Sequence, residues 1–205
     1  MKKIKLFLKS LSYDWYKYLL ALIPIICVLT ILSLNTRISY EEEIRIFNYI
    51  APKEENFTNE LKENFSDRGI LNVYIQPYSI ANDEFFQYLD VVGYEYSDLI
   101  ILPESTILKN PNYYSSNSLH FGSSNSDTYY TEIKNKNPDI ELYNYNDSPF
   151  GYFAIKIYKQ NNDSYNSKIR INNFYNFEED SVLSISKKSN KIENNIAFES
   201  LLYLI

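Results

Sequence analysis

Cysteine is almost missing: the 205-residue chain has one, Cys27, inside an apolar run near the N-terminus. No intramolecular disulfide can form, and outside that run no thiolate is available as nucleophile or metal ligand. Histidine is also single, His120, with no cysteine or second histidine to complete a metal set. Glycine is scarce, at four residues, and neither G-x-G-x-x-G nor a P-loop occurs. G-x-S-x-G and H-E-x-x-H are likewise absent. His120 could serve a serine as base, but nothing in the sequence positions the two together. Carboxylate pairs for glycoside hydrolysis are spatial and cannot be located from spacing. These absences predict a protein that is not an enzyme and holds no metal and no cofactor.

What is abundant points elsewhere. Hydrophobic residues make up 45% of the chain, enough for a real core. Tyrosine, phenylalanine and asparagine are plentiful, at 21, 12 and 24 residues. Low-GC coding bias accounts for that excess; a sugar-binding surface is the functional alternative. Tyr18–Leu34, "YLLALIPIICVLTILSL", carries no charge and approaches the roughly 20 residues that span a ~30 Å hydrocarbon layer. Trp15 and Tyr16 stand just before it and Tyr18 opens it, where aromatic rings favour the lipid–water interface. The run exceeds the ~7–15 apolar residues of a cleaved signal peptide, and no A-x-A-like site follows. Cys27 is preceded by two isoleucines, which a lipoprotein signal does not use.

Lys2, Lys3, Lys5, Lys9 and Lys17 precede the run against Asp14 alone, whereas Glu41–Glu43 follow it. The positive-inside bias therefore predicts a cytoplasmic segment 1–17, a single-pass anchor 18–36 and an extracellular domain 37–205 at the cell membrane. Six basic residues and one acid fall within 1–37, so the rest of the chain holds −11 of a total of −6. A domain this acidic argues against nucleic acid as a partner, and none is expected. The acidic runs Glu41–Glu43 and Glu178–Asp180 read as solvated surface.

Within the domain, "EIRIFNYIA" reads as a first strand over 43–51, ended by Pro52. Phe57, Leu61 and Phe65 recur at four-residue spacing, which predicts a helix over 56–65 closed at Gly69. "ILNVYIQPY" is a second strand, stopped by Pro77. Phe85, Phe86, Leu89 and Val92 predict a helix over 84–92 after a cap at Asn82 or Asp83, ended by Gly93. "DLIIL", 98–102, is then an apolar third strand with no wet face. A strand apolar on both faces belongs in a sheet covered by helices on both sides. Lys109–Asn137 is rich in Ser, Asn and Tyr and predicts a long loop, either a lid or disordered. Strands over 150–158 and 182–186 and a helix over 193–205 complete the pattern. The expected fold is α/β: a single-lobe parallel or mixed sheet with flanking helices, behind one N-terminal transmembrane helix.

Four of these segments, "EIRIFNYIA", "EENFTNELKENF", "LNVYIQPYS" and "SDLIILPEST", together resemble the first lobe of extracellular solute-binding proteins of bacterial ABC importers, of the sugar-binding type. "SPFGYFAIKIY" is similar to the return segment near their hinge. The similarity covers about two thirds of residues 43–205. It departs from the family in length, which allows one lobe where members have two, and in the helical tether. The resemblance implies a periplasmic-binding-protein-like domain with a cleft at Tyr78, Ser79, Glu104 and Ser105. There Tyr78 would stack on a sugar while Glu104 and Ser105 would hydrogen-bond hydroxyls, in keeping with ligand sites beyond strand carboxyl ends. It implies ABC permease subunits and a small-molecule or sugar ligand as partners. The function expected is thus a membrane-anchored solute-binding-like or accessory component of an ABC-type uptake system, with carbohydrate as the implied solute. A scaffold that docks a membrane partner without a ligand, and a surface glycoside hydrolase, are the alternatives.

Overall fold

The computed structural model describes residues 22–28, 39–53, 56–79, 84–122, 127–144 and 151–205. The chain forms two units, Met1–Ser39 and Tyr40–Ile205. In the first, residues 22–28 are helical (α1) and expose Leu22, Ile23, Ile25, Ile26 and Val28. No helix among the described residues is long and apolar enough to cross a membrane. The remainder of the expected anchor 18–36, and all of the basic segment 1–17, lie outside the described residues.

The second unit is α/β, built on one six-stranded mixed sheet in the order β2-β1-β3-β6-β5-β4. Strands β1 (Glu43–Asn48), β2 (Asn72–Pro77) and β3 (Leu99–Pro103) run parallel. Then β6 (Ser181–Ile185) lies antiparallel to β3, β5 (Ala154–Tyr158) antiparallel to β6, and the two-residue β4 (Leu142–Tyr143) antiparallel to β5. All five residues of β3 are buried. Leu99 and Ile101 join one core and Ile100 and Leu102 the other, the two-residue alternation of a strand covered on both faces.

The first face is covered by α2 (Asn56–Phe65), which buries Phe57, Leu61 and Phe65, and by α8 (Ile196–Leu204). Gly69 has φ +83°, the left-handed stop expected of it, after a 3-10 turn Ser66–Arg68. The second face is covered by α3 (Phe85–Tyr88), α4 (Glu104–Ile107) and α5 (Pro111–Asn117). The expected 84–92 helix is regular only over α3, then widens into a π-turn, Leu89–Tyr94. The turn rests on the sheet at Gly93, where a Cβ would stand 2.8 Å from Leu89 Cδ1 and 3.4 Å from the Phe47 ring. The caps expected at Asn82 or Asp83 lie outside the described residues.

The segment 109–137 is not a long loop, which corrects the lid-or-disorder expectation. It holds α5, opened by Pro111 in its first turn, and α6 (Thr128–Lys136), whose Asp127 cap accepts the Tyr130 N–H. Tyr114, Phe121 and Ile133 pin the segment to the core. Its Ser/Asn composition hides helices because each is short and buries only one or two side chains. The polar turn 159–166 contains a single helical turn, α7 (Asp163–Asn166), capped by Asn162.

Candidate functional site

The carboxyl ends of β1, β2 and β3 lie at one end of the sheet, because the three strands are parallel and in register. The start of β6 reaches the same end, since Pro103 pairs with Ser181. There the backbone of Glu104 donates to the carbonyl of Asp180 at 2.8 Å. The Lys156 ammonium, from β5, sits 2.8 Å from Glu104 Oε2 and 3.5 Å from Asp180 Oδ2. The β5–β6 register shifts between Lys156 and Tyr158, a bulge beside this cluster. Ser105 Oγ donates to Glu179 Oε2 at 2.8 Å, and Tyr49 and Ser181 share a 2.7 Å hydroxyl contact.

Two of the expected cleft residues, Glu104 and Ser105, therefore join one polar cluster, together with Lys156, Glu179 and Asp180. Tyr78 follows β2 and stacks on both Phe47 (5.1 Å between ring centres) and Tyr88 (4.7 Å), and its hydroxyl is hydrogen-bonded by Gln76. Ser79 is exposed beside it. Lys156 was not singled out in the sequence. Its signal was there: it is the one charge inside "FAIKIY". Its carboxylate partners lie 52 and 24 positions away in sequence, which no spacing rule connects.

Burial opposes the charge on Lys156, but Glu104 and Asp180 outweigh it and hold its pKa above the usual lysine value. The ammonium is thereby fixed as a cation and is neither base nor nucleophile. Burial likewise pushes the Tyr49 hydroxyl up to about 12, so it remains a neutral donor. The cluster can position polar groups. Among the described residues no group of three His, Cys, Asp or Glu could hold a metal.

His120 does meet a serine: Nε2 lies 3.0 Å from Ser115 Oγ. Burial, aided by Lys187, lowers its pKa and keeps the ring neutral. The contact is at the other end of the sheet, since Leu119 bonds Ile185 at the last residue of β6. It stands apart from the expected cleft.

A groove of about 560 Å³ runs beside β2, lined by Val73, Tyr74, Ile75 and Pro77 and by Pro52, Thr58 and Asn59. The strand forms one edge of the sheet, so half of its backbone groups face away from β1. Tyr74 and Leu71 are exposed along it. No known protein family, curated protein or solved structure matches the chain.

Proposed function

We propose that residues 40–205 form a non-enzymatic recognition domain, held at the cell surface by the N-terminal segment, that acts by docking a membrane partner. One observation favours docking over capture of a solute. The atoms that would grip a ligand at the strand tips are engaged inside the domain: Glu104 with Lys156, Ser105 with Glu179, and the Tyr78 ring with Phe47 and Tyr88. The open edge of β2 and its groove offer a surface of the kind that accepts an added strand. In the ABC-type uptake system implied by the resemblance, the partner is a permease subunit and this domain an accessory component.

Affinity purification of the tagged full-length chain from its own membranes tests the reading. Permease subunits should co-purify, and should stay with a version whose residues 1–37 are replaced by an unrelated anchor. Loss of the subunits on that exchange assigns recognition to the anchor and rejects docking by the domain. The solute-capture reading keeps one support, the convergence of Glu104 and Ser105 at the strand tips. Titration calorimetry against a panel of sugars decides it, and uniformly flat heats remove it.

A further inference from the structure

Away from both regions, an open depression of about 460 Å³ lies on the surface where the end of α2 meets α6 and α8. Its apolar wall is Phe65, Leu202 and Tyr203, and its cations are Arg68 and Lys136. Tyr203 is fixed from behind: the Arg170 guanidinium stacks 4.1 Å from the ring centre and donates to its hydroxyl at 2.6 Å. Phe65 meets the same ring edge-on at 6.2 Å. Arg68 places its Nη1 2.9 and 2.7 Å from the two carboxylate oxygens of Glu199, and its Nη2 donates to the Asn194 carbonyl at 2.9 Å. Lys136 makes no ion pair among the described residues.

We infer that this depression binds an organic mono-anion with an apolar body, its carboxylate on Arg68 and Lys136 and its body on Phe65, Leu202 and Tyr203. The volume falls within the roughly 300–1,000 Å³ of small-molecule sites, which are mostly apolar with a few placed polar groups. A guanidinium N–H donates well to a carboxylate, and here the protein's own Glu199 already sits on Nη1 as the internal equivalent of that ligand, while Nη2 donates to the Asn194 carbonyl at 2.9 Å. Exchange is cheap, because both partners are solvent-exposed, with 44% and 38% of their side-chain surface accessible. Glu199 also lines a neighbouring cavity of about 460 Å³, which gives its carboxylate somewhere to turn. Asp67, which also lines the depression, opposes a second negative charge and so disfavours a phosphate relative to a carboxylate. The domain's net acidity acts at long range and is screened within about 8–10 Å in physiological salt; the two cations act at contact. This inference stands independently of the docking partner.

The probe is 4-fluorobenzoate, with neutral 4-fluorobenzamide as control, followed by fluorine NMR line broadening on the full chain in lipid nanodiscs. The benzoate should broaden and the benzamide should not. Arg68→Gln should weaken the benzoate about tenfold, as expected for loss of a charge-assisted hydrogen bond. Lys136→Gln, a surface change that leaves the fold alone, should also weaken it. Glu199→Gln weakens the internal hold on Arg68 Nη1 and should tighten binding several-fold. Equal broadening by benzamide, or benzoate binding indifferent to both Arg68→Gln and Lys136→Gln, overturns the site.

Discussion

Among the described residues, the most deeply buried ion pair is Asp98 with Lys191, with 0% and 1% of their side-chain surface accessible and 3.4 Å between Nζ and Oδ2. Asp98 accepts from the Arg45 backbone at 2.9 Å and from Ser189 Oγ at 2.5 Å; Lys191 donates to the Tyr40 carbonyl at 2.8 Å. Burial pushes the carboxyl up and the ammonium down, and each partner opposes the other's shift. Removing one partner strands the other. Asp98→Asn should therefore cost about 3–5 kcal/mol in urea unfolding, while the double change Asp98→Asn with Lys191→Met should cost less than the sum of the singles. Additive losses would mean that the pair is not energetically coupled. His120 permits a second test, because the chain has no other histidine. Its folded pKa lies below the usual 6.5, so folding favours the neutral ring. The stability from that preference is complete above pH 6.5 and is lost as pH falls from there through the depressed value. Unfolding free energy should fall between pH 7 and pH 5 more steeply in the wild type than in His120→Gln. Identical slopes would place the ring in solvent. None of this was legible in the sequence: Asp98 was visible only as the polar start of an apolar strand, and Lys191 lies 93 residues further on.

Among elements, legibility followed the number of buried side chains that carry the period. Helix α2 is found where expected because Phe57, Leu61 and Phe65 are all fixed in the core. β3 declared its two-faced burial through four consecutive apolar residues. The direction of β6 could not be read, because "VLSIS" is buried on both faces whether its neighbour runs parallel or antiparallel. The lead-in to β5 shows another device the sequence concealed. Gly122 and Gly151, at φ +79° and +86°, form an isolated bridge in which Phe121 N–H donates to the Tyr152 carbonyl at 2.7 Å. A Cβ on Gly151 would meet the backbone carbonyl carbon and oxygen of Gly122 at 2.5 Å. Backbone cannot swing aside as a side-chain tip can. Gly151→Ala should cost about 2–4 kcal/mol, from the left-handed strain and the collision together. Thermal unfolding measures it, and a wild-type midpoint would show that the two segments can separate freely.

For the whole molecule, charge is the property that most constrains a partner. The region beyond residue 37 carries −11 while the segment before it carries an excess of basic residues, so the field changes sign along the chain. Such a field steers association more than it tightens the final contact. A docking partner of the proposed domain should accordingly present a basic face. The association rate with purified permease subunits should fall severalfold as salt rises from about 50 to 500 mM, because the screening length shrinks from more than about 10 Å to less than half of that. The dissociation rate should change little, since the contact itself would rest on the short-range fit along the β2 edge and its groove. Interferometry at several salt concentrations separates the two rates. An association rate indifferent to salt would remove steering by the acidic domain, and a dissociation rate that rises with salt would place ion pairs, not the strand edge, at the centre of the interface.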